Sequence, residues 1–167
     1  MTRTTTIIQG VLAGIYGAGC MSVLRMAVRR AGVIDATPPQ ETKRWLAETT
    51  GIAPRHVAAH QVLDTLIHLA VGGGAGAMYG ALVAPAVRPN LAGGAGFGLA
   101  FWAAAFGVVM PALGITRSLR RSTAAENTVN AAAHVLYGLS LALVTGEFAR
   151  QGAGDRAHRR RFLARVG

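Results

Sequence analysis

The chain has 167 residues, of which 51% are hydrophobic and 14% charged, with 22 glycines and a single cysteine, Cys20. A soluble domain carries about 25% charged residues, so the composition points to a membrane protein, and one cysteine excludes an internal disulfide or a multi-cysteine metal site. The 17 bases outnumber the seven acids, but the arginines gather in connections and in the tail, where they meet anionic headgroups; no nucleic-acid partner is expected.

Windows free of Asp, Glu, Lys and Arg run over Thr4–Leu24, Thr65–Val87, Leu91–Ile115 and Asn127–Gly146. Each approaches or exceeds the roughly 20 residues that a helix needs to cross hydrocarbon. Alternation at period two is absent, which argues against barrel strands. The expected fold is all-α, a four-helix polytopic transmembrane bundle with a short interfacial helix between the first two spans. Residues 1–150 form a single transmembrane domain and 151–167 a basic tail. The bilayer is the first partner, and a membrane-protein partner or a second copy the next candidate.

The first span, about 5–28, carries Gly10, Gly14, Ala18 and Ser22 four residues apart, a spacing at which helix backbones approach closely in lipid. Arg25 near its end is expected to snorkel to the interface or pair with a carboxylate. Gly17, Ala18, Gly19 and Cys20 resemble a lipoprotein cleavage box, but Gly17 stands where a leucine-like residue is wanted; the segment is read as a retained helix. After Pro38 and Pro39, the stretch 41–50 sets Trp45 and Leu46 among charges, as an amphipathic helix in the interface does. It would lie as a lid over one end of the bundle.

The second span, about 55–84, starts near Pro54 or Arg55, and Pro85 and Pro89 frame the turn after it. The third, about 91–112, is glycine-rich at its start and aromatic at Phe97, Phe101, Trp102 and Phe106. Pro111 should kink or stop it, because proline lacks a backbone donor and clashes with the preceding turn. The fourth spans about 125–148, with Glu126 suiting the helix dipole. The run His158, Arg159, Arg160, Arg161, Phe162 and Leu163 reads as a solvated or lipid-facing tail.

Spans two and four follow one pattern at steps of four: His60, Asp64, His68, Gly72, Gly76, Gly80 and Glu126, Asn130, His134, Gly138, Ala142, Gly146. Steps of four keep side chains on one slowly drifting helix stripe. Each span thus has a polar half-stripe continued by a groove. The two spans run parallel and are expected to meet along these stripes. Such polar groups serve as interhelical glue at about 0.6 kcal/mol per hydrogen bond, or line a vestibule for protons or a polar solute. A divalent metal held by His60, Asp64, His68, Glu126 and His134, with Asn130 orienting a ligand, is a further candidate. So is haem between His68 and His134, although Gly72, Gly76 and Gly138 favour tight helix contact over room for a macrocycle. No cofactor is expected on the first reading. Tyr16, Tyr79 and Tyr137, each followed by glycine, read as packing residues.

Nucleophile motifs, phosphate-cradling loops and nucleotide fingerprints are absent, and the glycine runs at 72–76 and 93–98 lie inside apolar helices. Nothing in the sequence supports an enzyme.

In order, Gly10 with Gly14, Pro38 with Pro39, His68 to Tyr79 and Gly80, Met110 to Gly114 and Ala133 to Gly138 resemble the YagU-like bacterial inner-membrane proteins over about residues 10–150. The resemblance implies a small multi-pass inner-membrane protein with both ends in the cytoplasm, and no reaction. Lys and Arg divide eight on the side of the two ends against nine on the other. Their weight near short connections favours the second side as cytoplasmic, against the resemblance, whose orientation is kept here. The function expected is a structural or accessory component of that membrane; the alternative is a small conduit or binding site for protons, a divalent metal or a polar solute.

Overall fold

The computed structural model describes residues 3–33, 38–51, 57–84, 90–115, 119 and 122–166, with backbone alone for 38–41, 43, 57–61, 155–163 and 165–166. Among them there is no strand. The helices are α1 (Arg3–Arg30), α2 (Pro38–Thr50), α3 (Val57–Met78), α4 (Leu91–Ala104) and α5 (Ala124–Val166). α3 runs on through a π-helical turn, Tyr79–Val83, and α4 through another, Ala105–Val109, followed by Met110–Ala112. Four helices, all but α2, are long and apolar enough to cross a membrane; the chain is an all-α, membrane-spanning protein. The turn framed by Pro85 and Pro89, and the helix start at Pro54 or Arg55, lie outside the described residues.

The helix ends follow local chemistry. α1 closes on Gly32, whose φ of +71° suits a residue without a Cβ, and Val33 N–H donates back to Val28 O at 3.1 Å. α4 opens on Asn90, whose side-chain oxygen accepts the Gly93 N–H at 2.7 Å. α5 opens on a reciprocal cap. Thr123 Oγ1 accepts the Glu126 N–H at 3.2 Å, while Glu126 Oε2 accepts the Thr123 N–H at 2.7 Å.

Pro111 does not stop its helix at once. The chain widens into the π turn just before it, with Met110 N–H donating to Ala105 O, and then completes a last turn to Ala112. A wider turn takes up the strain of the ring against the preceding carbonyls. α5 continues beyond the expected end at 148, for 43 residues in all. At about 1.5 Å per residue that is about 65 Å, twice the roughly 30 Å of hydrocarbon. No proline interrupts it, and Glu147 accepts hydrogen bonds from Arg150 at 2.7 Å and Gln151 at 3.1 Å. The basic tail is thus the continuation of a spanning helix, although the side chains of residues 158–163 lie outside the described residues.

α1 packs on α3 and on α5, and α4 packs on α5. The second and fourth spans were expected to meet each other; instead α1 packs extensively on both, and the small-residue half of each stripe is used against a different neighbour. A Cβ on Gly10 or Gly14 would fall on the carbonyl oxygen of Gly76 or Gly72, and one on Gly98 or Gly138 on that of His134 or Gly94. Backbones in such contact leave no room for any side chain. Between the glycine seams, Tyr79, Tyr137 and Leu141 are the largest fully buried residues. The Tyr79 ring meets Phe97 edge-on at 5.2 Å, whereas Tyr16 is exposed.

A methyl group forced into a packed seam costs about 1–3 kcal/mol, and Gly→Ala at an open helix position gains up to about 1 kcal/mol. Gly98→Ala and Gly138→Ala are therefore expected to lower the thermal unfolding midpoint in detergent by several degrees. Gly74→Ala and Gly96→Ala, whose added Cβ meets nothing within 4 Å, should leave it unchanged or raise it. Equal effects at the four positions would contradict the seams.

Candidate functional site

Arg25 departs from the expectation for an arginine near the end of a span. It neither snorkels out nor pairs with a carboxylate among the described residues; it is 4% exposed. Helical spacing accounts for this. Residue 25 lies four after Met21 and seven after Ala18, both buried on the inner face of α1, so its stem starts toward the bundle. Its Nη2 donates to Asn130 Oδ1 on α5 at 3.3 Å. A guanidinium has five N–H donors, and among the described residues Asn130 is the one acceptor that it reaches, the buried Nε having none.

Arg25 lines a small cavity, partly open to the surroundings, together with His68, His134 and Tyr137. Thr42 of α2 also lines it, so the interfacial helix borders the space as a lid would. Each imidazole spends one N–H on a helix carbonyl. His68 Nε2 donates to Ala18 O at 3.0 Å and His134 Nδ1 to Asn130 O at 2.7 Å. Because a carbonyl only accepts, these bonds fix the protonated nitrogens and leave His68 Nδ1 and His134 Nε2 as acceptors in the neutral rings. The Tyr137 hydroxyl donates to Gly72 O at 2.6 Å, tying α5 to α3 across the cavity. Phe106 meets the His134 ring edge-on at 5.5 Å, and Phe101 lies 6.0 Å from it.

The two polar half-stripes are therefore brought together only in part. His68 and His134 reach one cavity, and Asn130 joins it through Arg25. Asp64 is half-buried but lines no wall of the cavity. Glu126 holds the α5 cap, and the His60 side chain lies outside the described residues. Among the described residues no three His, Cys, Asp or Glu side chains stand where they could hold a metal ion. Haem meets a specific obstacle, since His68 Nε2, the nitrogen through which axial histidines normally ligate, is engaged by Ala18 O. Sequence reasoning passed over Arg25 as a member of the site. The signal was its phase with Ala18 and Met21. The Thr123-x-x-Glu126 capping box was likewise legible and pointed Glu126 away from the cluster.

No family model matches the chain, and no curated protein or solved structure matches it.

A buried cation with a single neutral acceptor is destabilising, and replacing such a charge by an apolar side chain of similar volume gains about 1–4 kcal/mol in favourable cases. Arg25→Met is thus expected to raise the thermal midpoint of the delipidated protein by several degrees, at about 2–4 °C per kcal/mol for a chain of this size. If the midpoint falls instead, Arg25 is a structural staple between α1 and α5.

Proposed function

We propose that the chain is a multi-pass protein of a bacterial inner membrane, of the YagU-like type, that binds a small polar solute in the cavity beside Arg25. The observation that carries this reading is the guanidinium itself: a charge held 4% exposed against a cavity wall, with donors to spare. Charged groups inside membrane proteins are costly and mark ligand or ion paths. Each histidine makes its bond to a helix carbonyl without the guanidinium, whose buried Nε has no acceptor among the described residues. The apolar lining with a few convergent polar groups is the usual build of a small-molecule site. The order of motifs from Gly10 to Gly138 supports the family and its membrane.

A role as accessory component rests on a different surface. Ala92, Gly96, Ala100 and Ala104 lie exposed on the outer face of α4, at the spacing by which helices associate in lipid. Gly96→Cys, in a Cys20→Ser background, would cross-link to a partner or a second copy in native membranes if that face is covered, and would stay monomeric if it faces lipid.

A panel of carboxylates, amines, neutral polar solutes and divalent metal ions, added to protein in an uncharged detergent, tests the solute reading through thermal unfolding. Binding at 100 times Kd stabilises by about 2.7 kcal/mol. One class is expected to raise the midpoint saturably in the wild type and not in Arg25→Gln. The reading fails if no class does so.

A further inference from the structure

Given that the cavity is a solute site, we infer the class of its ligand: a monoanionic oxyanion carried on a short apolar body, of which a medium-chain carboxylate is the simplest form. The argument begins with the charge. Arg25 stays protonated in any protein environment, and among the described residues no Asp or Glu lines the cavity to balance it. A cationic solute would meet an unopposed like charge, and a neutral one would leave the guanidinium as poorly paired as before. A carboxylate or phosphodiester offers the planar pair of acceptor oxygens that fits the guanidinium fork. One arginine matches one negative charge.

The body follows from the rest of the wall. Apart from Arg25, Thr42, the histidines and Tyr137, the lining is apolar, with Met21, Ile67, Val71, Phe101 and Phe106 prominent. Arg25 lies five residues before the end of α1 at Arg30, about 7.5 Å along the axis, and Met21 lies one turn further in. The charged part of the cavity is therefore near the interface, beside α2, and apolar wall continues inward. That is the polarity of an amphiphile entering head-last, its chain toward the bundle and its oxyanion at the level of Arg25. Free acids and lipid headgroups share this chemistry.

The test uses full-length protein in an uncharged maltoside detergent. Binding is read by isothermal titration with decanoate, decanol, decyltrimethylammonium and acetate, and with dioctanoyl phosphatidylglycerol as the lipid-derived probe. Decanoate or the phosphatidylglycerol is expected to bind saturably, at least tenfold more tightly than decanol and the cation, and to lose at least tenfold in Arg25→Gln. Preference for decanoate assigns a free acid and preference for phosphatidylglycerol a membrane lipid; both support the inference. Should Arg25→Gln not fold, as judged by circular dichroism, Val71→Trp, which adds bulk to the cavity wall, serves instead and should weaken decanoate more than acetate. Equal binding of decanoate and decanol, tightest binding of the cation, or no binding by any probe overturns the inference. If a neutral or cationic solute binds in an Arg25-dependent way, the solute site stands and the anionic class falls.

Discussion

Contact between helix backbones is the constraint on which the rest of this structure depends. At Gly10, Gly14, Gly72 and Gly76 between α1 and α3, and at Gly94, Gly98 and Gly138 between α4 and α5, an added Cβ would strike a facing carbonyl or the atoms beside it. In lipid the hydrophobic effect does not drive helices together, so this dense van der Waals contact replaces it. The cavity borders these seams, lined by His68 and Gly72 on α3 and by His134 and Tyr137 on α5.

The site and the packing thus arise from the same four-residue spacing. Tyr137 shows the connection most directly: its hydroxyl bonds the carbonyl of Gly72, the residue whose missing side chain admits α1. Ala18 plays the matching part on α1, packing against Gly72 while its carbonyl takes the His68 ring N–H. Both histidines are oriented by helix carbonyls, so their remaining nitrogens are set before any ligand arrives. Among the described polar side chains that line the cavity, Arg25 alone has a buried donor without an acceptor, and pre-organised polar groups of that kind are what a site keeps at a cost in stability.

Much of the architecture was legible from charge-free windows, because length and hydropathy are what a bilayer selects, and four spanning helices follow from them. The neighbours of each helix were not legible. A stripe of small residues states that something packs closely there without naming what, and the stripes on the second and fourth spans were matched to each other when α1 and α4 take them. Arg25 was misjudged because long side chains near helix ends ordinarily snorkel; its phase with Ala18 and Met21 outweighed its distance from the end. Glu126 was assigned to a cluster by spacing alone, whereas its nearest obligation was the open N–H groups of its own helix start. The length of α5 escaped a reading based on hydropathy, since a helix need not end where its apolar segment does.

The most direct measurement is an experimental structure of the full chain in lipid nanodiscs, at a resolution that shows the Arg25 side chain. The guanidinium should lie inside the bundle within hydrogen-bond distance of Asn130, beside the cavity that His68 and His134 also line, with α1 seated on the glycines of α3. An Arg25 side chain extended to the headgroups, or α3 and α5 packed on each other with α1 displaced, would contradict the account.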